Sequence, residues 1–346
     1  MTKTCLLDVP FNGWFRALEL APDQGYRARQ VHEWVFLKRA KTFAAMTSVP
    51  AALREGWESR FILRTLAVDR REISSLDGTE RIFFRAADGK VFSAVFLPGR
   101  KDAGEEPGRH ALCLSTQVGC AWGCVFCASG QAAFERNLTT GEIIEQVLWA
   151  EELTKQRVSN VLYMGMGEPL ANFDNVLASL RVFRSPLTFN LGARHVTLST
   201  CGLVPQIRML AEQAPKINLA VSLHAADDET RKKILPKAAH FSIKELLKAA
   251  WTFQEEAGDP RVTFEYLLLK GVNDSEREAQ RLSNLLRGKN VWVNLIVHNP
   301  IPGLSYEAPA DSTVEAFAKI LKDRGLFVRV RKPQGRDITA GCGQLG

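Results

Sequence analysis

Three closely spaced cysteines, Cys120, Cys124 and Cys127, are the residues of this sequence best suited to chemistry. Their C-x3-C-x2-C spacing, in a short loop that contains a glycine, lets three thiolates meet at one centre without help from distant parts of the chain. Three thiolates are too few for a four-cysteine zinc site or an ordinary four-cysteine iron–sulfur cluster. A four-iron cluster held this way would keep one iron open to a small molecule. The alternatives are a zinc knuckle and three unrelated core cysteines.

A second candidate segment, Tyr163–Leu170, follows a predicted strand and has the sequence YMGMGEPL. Glycines at positions 165 and 167 would let the main chain approach a ligand closely, and Glu168 offers a carboxylate suited to a cationic amino group. A tight turn before Pro169 is the alternative. The segment lacks the third glycine of a dinucleotide-binding fingerprint.

Small polar side chains end three further predicted strands. They are Ser199, Ser222, His224 and Asn299. Each alone is more often a buried or capping residue, but together at strand ends they predict the rim of a ligand site.

Cys342 lies between two glycines in the segment 335–346 and is unsuited to a core position. Chain mobility and basic neighbours would favour its thiolate form. Those neighbours are Arg329, Arg331, Lys332 and Arg336. Cys113, seven positions before Cys120, is its natural counterpart. The residues alone leave a redox disulfide, covalent catalysis and coincidence open for this pair.

Composition is that of an ordinary globular protein: 346 residues, 46% hydrophobic and 24% charged. We expect one barrel-sized domain and a smaller one. We expect no membrane span, because no apolar run approaches ~18 residues, and the first eight residues are not typical of a signal peptide. Seven cysteines, four of them within fifteen positions, favour reduced cytosolic metal chemistry over a disulfide framework. The net charge of +7 favours a polyanionic partner.

The first 60 residues are predicted to be helical, with Val31, Trp34 and Val35 on one buried face. Basic residues are left for the solvent side, either as a solvated face or as an RNA contact: Arg27, Lys38, Arg39 and Lys41. Asp88 and Gly89 predict a hairpin turn between two extended runs. The polar stretch Gly99–Gly108 predicts a linker, which divides the chain into a helical domain (1–60), a hairpin with linker (61–108) and a catalytic domain (109–346).

From residue 109 onward, extended apolar runs alternate with helical stretches. The runs are Ala111–Leu114, Asn160–Met164, His195–Ser199, Asn218–Leu223, Val262–Leu268, Val291–Val297 and Leu326–Val330. Thr139 and Glu142 form a capping box at the start of one helix. The alternation predicts an α/β fold with a parallel sheet, either a partial (β/α) barrel or an open doubly wound sheet. Chemistry in both collects at the carboxyl ends of strands.

The order and spacing of six motifs resemble the RlmN/Cfr family of radical S-adenosylmethionine (SAM) RNA adenine methyltransferases. The motifs are Cys113-x6-Cys120-x3-Cys124-x2-Cys127, Met164-Gly-Met-Gly-Glu-Pro, Val196-Thr-Leu-Ser-Thr, Ser222-Leu-His, Asn299-Pro and Cys342-Gly-Gln-Leu. The likeness extends from about Tyr26 to Gly346. It implies a partial radical SAM barrel with a small helical accessory domain that contacts RNA.

The resemblance implies two cofactors, a [4Fe–4S] cluster and SAM, with two SAM molecules used per turnover. Cys120, Cys124 and Cys127 would bind the cluster. The residues expected to contact SAM are Gly167, Glu168, Ser199, Ser222, Leu223, His224 and Asn299. Cys342 would carry the methyl group and form a covalent bond to RNA, and Cys113 would release the RNA through a transient Cys113–Cys342 disulfide.

The implied reaction is methylation of adenosine in 23S ribosomal RNA, with transfer RNA as a further candidate target. Methylation at C2 is favoured over C8, the Cfr-like alternative. An electron donor for the cluster, a cytoplasmic location and a monomeric state are also expected. The non-enzymatic alternative is an RNA-binding protein that keeps a cluster for structure.

One position departs from the family pattern. The family has a glutamate, usually taken as a proton acceptor, in a Val-Glu-Thr-Val segment, and Ser93 occupies that position here. A hydroxyl cannot act as a carboxylate base near neutral pH. The departure leaves the cluster chemistry intact and raises a different RNA target as an alternative.

Overall fold

The computed structural model describes residues 3–99, 109–214 and 216–346. In these residues, helices α1–α11 span Trp14–Ala17, Gly25–His32, Ala51–Arg60, Ala128–Gln131, Thr140–Thr154, Phe173–Arg184, Val204–Gln213, Asp228–Ile234, Ile243–Glu256, Glu276–Leu285 and Asp311–Asp323. Strands β1–β14 span Thr4–Cys5, Phe61–Ile62, Ala67–Ile73, Glu80–Arg85, Val91–Leu97, His110–Cys113, Gln117–Val118, Arg136–Asn137, Val158–Tyr163, Val196–Thr200, Asn218–Ser222, Val262–Leu268, Trp292–Val297 and Phe327–Arg331. The predicted linker, apart from Gly99, lies outside the described residues.

Within the described ranges, one ten-stranded sheet organises the fold, in the order β14-β13-β12-β11-β10-β9-β6-β5-β4-β3. Strands β6 and β9 to β14 run parallel, and β3, β4 and β5 extend the sheet antiparallel beyond β6. Each extended run predicted from Ala111 onward overlaps one of the parallel strands. The alternating pattern of strands and helices is therefore confirmed.

The parallel part of this sheet curls into a partial barrel. Ala111 on β6 and Arg329 on β14 belong to opposite edges of the parallel part, yet both line one interior cavity. An open doubly wound sheet would keep these edges apart, so the barrel prediction is confirmed. The capping box also forms: the Glu142 N–H donates to Thr139 Oγ1 (3.2 Å), and the Thr139 N–H donates to Glu142 Oε2 (2.9 Å).

The predicted hairpin connects β4 and β5, which pair antiparallel around Asp88 and Gly89. The Gly89 N–H donates to the Ala86 carbonyl (2.9 Å), so the turn prediction is confirmed. Because β5 pairs with β6, the hairpin continues the sheet of the barrel. The division of the chain at residues 60 and 108 stays a prediction.

Residues 3–62 fold as short helices closed by pairing of β1 with β2. Val31 and Val35 are fully buried and Trp34 is partly buried, which confirms the predicted helical face. Trp57 anchors this segment from within, since its indole N–H donates to the Leu18 carbonyl (3.1 Å). The Asp8 carboxylate accepts from the Gly141 N–H (2.7 Å) at the start of α5, which joins the segment to the barrel.

Two of the basic residues expected on the solvent side instead pair with α5. Arg39 forms an ion pair with Glu151, and Lys41 Nζ lies 2.6 Å from Glu152 Oε1. The periodicity of the sequence placed both side chains on the solvent side of the N-terminal segment. It could not show that α5 packs beside them. No helix in the described part of the chain is both long enough and apolar enough to cross a membrane.

Glu145 on α5 generates a testable pH dependence. Its carboxylate accepts hydrogen bonds from the Thr65 and Leu66 N–H groups (2.7 and 3.0 Å), and burial raises its pKa to about 7, against 4.5 for an exposed glutamate. A raised pKa in the folded state favours folding when the group is protonated. The contribution of protonated Glu145 to the free energy of unfolding is complete below about pH 4.5 and is lost as the pH rises through about 7.

Relative to Glu145→Gln, wild-type protein should therefore lose about 1–3 kcal/mol of unfolding free energy between pH 5 and pH 8. Urea unfolding of both proteins at constant ionic strength measures this difference. A difference that does not change with pH would contradict the assignment.

Candidate active site

The three clustered cysteines lie in the loop between β7 and α4. Main-chain hydrogen bonds fix this loop: the Val125 N–H donates to the Ile234 carbonyl (3.1 Å), and the Cys127 N–H donates to the Cys124 carbonyl (3.2 Å). The side chains of Cys120, Cys124 and Cys127 are partly buried and line one cavity, called the central cavity below. The structure thus brings the three thiols to one place.

The donor set fits a cluster better than a single ion. No three His, Cys, Asp or Glu side chains in the described ranges lie close enough to hold one metal ion. Zinc would need the thiolates on one centre, whereas a four-iron cluster takes each thiolate on a separate iron. Burial raises the pKa of Cys120 to about 11 and raises the pKa values of Cys124 and Cys127 as well. Their protons would therefore leave as metal binds.

Gly119 explains how the chain enters this loop. Its φ of +73° is a left-handed conformation, and a Cβ there would lie 1.9 Å from the Ala133 carbonyl oxygen. Its N–H also donates to Met166 Sδ (3.0 Å), beyond the end of β9. Only glycine fits between these neighbours, so this residue sets the position of Cys120.

Glu168 lies at the carboxyl end of β9, buried in the wall of the central cavity. Its two carboxylate oxygens accept from the Leu170 N–H (2.9 Å) and the Cys201 N–H (2.7 Å). Burial raises the pKa of Glu168, and these hydrogen bonds oppose the rise. A bound cation would stabilise the charged form further, which suits the predicted partner, an amino group.

Gly167 lines the central cavity, as its predicted contact with SAM requires, and that contact stays a prediction. Its φ is +101°, and a Cβ would lie 2.6 Å from the side chain of Gln117. Contact with Gln117 is therefore sufficient by itself to require glycine here. Gln117 Oε1 in turn accepts from the Glu168 N–H (2.9 Å), so the close contact helps to fix Glu168.

The strand-end residues and Leu223 lie in three different places. Ser199, Ser222 and His224 line the central cavity. Leu223 is completely buried in the hydrophobic core and lines none of the cavities described here, so its contact with SAM stays a prediction. Asn299 lies on the other side of Cys342, where its Nδ2 donates to the Cys342 carbonyl (3.1 Å).

His224 is held neutral and in one orientation. The Leu267 N–H donates to its Nδ1 (3.0 Å), so the neutral ring carries its proton on Nε2. Burial and the nearby positive charge of Arg231 lower the pKa of His224 to about 3. The residue can therefore act as a neutral hydrogen-bond donor at the cavity wall.

The segment 335–346, called the tail below, lies between β5 and β6 on one side and β13 and β14 on the other. It encloses a second space, the seam cavity, which Cys113, Asn299, Arg331 and Cys342 line together. Cys127 and Cys342 line both cavities. Cys342 is therefore exposed to the cysteine loop and to Cys113 at the same time.

The predicted mobility of the tail is not what the structure shows. The Ala128 N–H, next to the cysteine loop, donates to the Gly343 carbonyl (2.7 Å), and the Ser129 hydroxyl donates to the Leu345 carbonyl. Gln344 Nε2 donates to the Pro300 carbonyl (2.8 Å). Cys342 itself remains exposed, as expected. The tail is docked, and glycines beside Cys342 do not by themselves imply motion.

Cys113 ends β6 and packs in a small apolar cluster with Val95, Ala340 and Leu345. Burial raises its pKa to about 12, the charge of Cys342 contributes in the same direction, and Arg331 opposes both. Cys113 is therefore a protonated thiol at neutral pH and has to lose its proton before it acts as a nucleophile.

Sequence reasoning missed Glu265, which lies on β12 and lines the central cavity. Asn294 Nδ2 donates to its Oε1 (2.8 Å), while Oε2 has no hydrogen-bond partner in the described part of the chain. Asn299 Oδ1 is likewise buried without a partner. Unpaired buried acceptors beside a cavity are suited to a polar ligand such as SAM. The sequence signal was a charged residue inside the wholly buried run Val262–Leu268.

Gly119 gives a test of the loop geometry, with Gly271 as a matched control. Both have φ near +72°, yet nothing lies within 4 Å of a Cβ at Gly271. Left-handed strain should cost each alanine variant about 1–2 kcal/mol. Gly119→Ala should in addition displace Cys120 and reduce the iron and sulfide bound after anaerobic reconstitution, whereas Gly271→Ala should bind both normally. Equal metal content in the two variants would show that Gly119 does not set the loop.

Comparison with known proteins identifies the family. The family model of the Radical SAM superfamily matches residues 114–282. A probable dual-specificity RNA methyltransferase RlmN from Endomicrobium trichonymphae is 41% identical over 349 residues, which cover 99% of this chain and 97% of that protein. The corresponding protein from Symbiobacterium thermophilum is 42% identical, covering 92% and 85% of the two chains.

Structural comparison agrees. The crystal structure of a radical SAM methyltransferase from Sphaerobacter thermophilus matches with a TM-score of 0.91 and 38% sequence identity, covering 99% of both chains. The match includes the partial barrel, the N-terminal helical segment and the tail. With this similarity over the whole length, and with the three-cysteine loop at the carboxyl edge of its barrel, the chain belongs to the RlmN/Cfr family of radical SAM RNA methyltransferases.

Proposed function

We propose that this enzyme methylates C2 of adenosine in 23S ribosomal RNA and in transfer RNA, in the cytoplasm, by way of a methyl group carried on Cys342. The position of Cys342 supports the proposal most directly, because it lines the central cavity and the seam cavity at once. Relatives named dual-specificity RNA methyltransferases support an RNA substrate.

A [4Fe–4S] cluster and SAM, the cofactors of the superfamily, supply the radical and the methyl group when bound. Cys120, Cys124 and Cys127 are suited to hold the cluster, since their three thiols line one cavity. Glu168 is suited to bind the methionyl amino group. Two SAM molecules per turnover follow from the separate needs for a methyl group and a radical.

Cys342 and Cys113 would act in turn. Methylated Cys342 carries the new carbon to the adenine, which leaves RNA joined to the protein through the Cys342 sulfur. The Cys113 thiol loses its proton, and its sulfur then bonds to the Cys342 sulfur as the bond from that sulfur to the transferred carbon breaks. The carbon keeps the electron pair of the broken bond and takes up a proton, which completes the methyl group on the released RNA. The resulting disulfide has to be reduced before the next turnover, and an external electron donor serves this step and the cluster.

Because Ser93 replaces the glutamate of the family pattern, this chain has no carboxylate at the position of the proton acceptor. The two acidic residues near it in sequence are engaged elsewhere: Glu80 pairs with Arg71 (2.5 Å), and Asp88 pairs with Arg136 (2.6 Å). This departure is the specific observation that keeps C8 methylation, or another RNA, as the alternative function.

Nucleoside mass spectrometry tests the proposal. Ribosomal and transfer RNA from cells lacking the gene should lose 2-methyladenosine, and the gene supplied on a plasmid should restore it. Appearance of 8-methyladenosine would instead assign the alternative, and unchanged nucleosides would contradict both.

The two lone cysteines should give opposite phenotypes. Cys342→Ala removes the methyl carrier, so neither S-methylcysteine nor an RNA adduct should form. Cys113→Ala leaves the carrier but removes the group that releases it, so protein joined to RNA through Cys342 should accumulate. Denaturing gels with and without ribonuclease, followed by peptide mass spectrometry, distinguish the two outcomes. Normal turnover by Cys113→Ala, with no trapped adduct, would contradict the proposal that Cys113 releases the RNA.

RNA binding should depend steeply on salt, because contact with phosphates releases counterions. Lys38 is exposed and forms only a surface ion pair with Glu33 (2.9 Å), whereas Arg39 is half-buried in its ion pair with Glu151. Lys38→Glu should therefore weaken RNA binding by about 3- to 10-fold and leave SAM cleavage without RNA unchanged. Lys319→Glu on α11, which is also an exposed lysine, is the matched control. Filter binding at two salt concentrations measures both, and equal losses would mean that only net charge matters.

A further inference from the structure

Arg81 on β4 is a buried arginine that has no part in the steps proposed above. It is 5% exposed, and burial lowers its pKa. Its hydrogen bonds in the described structure go to a hydroxyl and two main-chain oxygens. A guanidinium is costly to bury unless its donors are used, so these partners call for an explanation.

Two of the three partners belong to the tail. Nη1 donates to the Thr339 carbonyl (3.0 Å), and Nη2 donates to a main-chain oxygen of Gly346, the last residue of the sequence (3.2 Å). These two acceptors lie three positions before and four positions after Cys342. The planar guanidinium presents its donors in fixed directions, so one side chain can hold both ends of the segment that carries the thiol.

The sheet register places Arg81 on the same face as Cys113. Arg81 pairs with Val95 on β5, and Val95 pairs with Cys113 on β6. Directly paired residues point to the same face, and neighbouring strands are about 4.8 Å apart. Ala340 and Leu345 of the tail pack against Val95, in the middle of this row. The tail therefore lies across the row that ends in Arg81 on one side and Cys113 on the other.

Ser93 accounts for the direction in which Arg81 reaches. Its hydroxyl oxygen accepts from Nε (3.2 Å) and leaves the two terminal nitrogens free for the tail. A carboxylate at position 93 would compete with the tail oxygens for the guanidinium, because a carboxylate can accept two of its N–H groups in a bidentate pair.

We infer that Arg81 is a positioning residue for the thiol that carries the methyl group: it fixes the tail so that Cys342 lies between Cys113 and the central cavity. The inference rests on the proposed function for the role of Cys342, but the docking of the tail can be measured separately. The serine at position 93 is part of the same arrangement.

The first measurement is amide hydrogen exchange in the reconstituted enzyme, with Arg81→Met as the main variant. The reporters are the Ala340 and Gln344 N–H groups, which donate to carbonyls within the tail (2.9 and 3.0 Å). Arg81→Met should speed their exchange by about 10-fold, the effect of losing roughly 1.4 kcal/mol of hydrogen bonding. The exchange rate in Arg81→Lys should lie between those of the wild type and Arg81→Met, because an ammonium group cannot bridge both tail oxygens.

Arg70→Met is the matched control. Arg70 on β3 also stacks on Phe83, with its guanidinium carbon 3.4 Å from the ring centre, but its other contacts are Asp69 and Glu72. Arg70→Met should leave amide hydrogen exchange in the tail unchanged. Ser93→Glu should speed tail exchange in a protein whose Arg81 is intact, since the new carboxylate draws the guanidinium toward β5.

The second measurement is coupling, the amount of methylated RNA formed per 5′-deoxyadenosine. Arg81→Met should lower this ratio by about 10-fold, with little change in KM for RNA. Wild-type exchange and coupling in Arg81→Met would overturn the inference. Faster exchange throughout the protein with normal coupling would overturn it too, since Arg81 would then stabilise the fold in general. If wild-type protein made no methylated RNA, the proposed function would fail, and the exchange data would still decide whether Arg81 holds the tail.

Discussion

Packing of the tail into the open side of the barrel is the contact on which the rest of the site depends. The strands of a partial barrel leave a gap, here between β5 and β6 on one side and β13 and β14 on the other, and the tail fills it. Apolar contacts with Val95 and hydrogen bonds from Ala128 and Asn299 hold it there. One short segment thus forms the wall of two cavities and presents a thiol to both.

Unpaired polar groups show where ligand binding contributes free energy. Glu265 and Asn299 each leave one buried oxygen without a partner in the described residues. Burial of such an oxygen costs the folded state about 1–3 kcal/mol. A ligand that donates to these oxygens recovers that cost, so the empty site is less stable than the occupied one. Binding and stability of the barrel are therefore coupled.

Features encoded in short stretches of sequence were predictable. The three cysteines lie within eight residues, and each parallel strand is a short apolar run, so neither required knowledge of distant contacts. Strand β3 was not predicted, because it is a largely exposed edge strand with the charged sequence AVDRREI, which lacks the apolar alternation of a buried strand.

Long-range contacts explain what the sequence could not reveal. Docking of the tail depends on Arg81 and Asn299, which are far from it in the chain. One reason for glycine at position 167 is the clash that a Cβ would have with Gln117, a neighbour that only the folded chain brings close. Glu265 can be recognised in the sequence as the charged residue of an apolar strand, but only the barrel shows that it faces the central cavity.

Helix α5 lies between the barrel and the N-terminal segment, and this position has a consequence for the choice of substrate. One face packs on the barrel, and the other is tied to the N-terminal segment and the chain that follows it, through Glu145, Glu151 and Glu152. The distance from the N-terminal segment to Cys342 is therefore set by one shared helix. An RNA that contacted both the N-terminal segment and Cys342 would have to span this fixed distance.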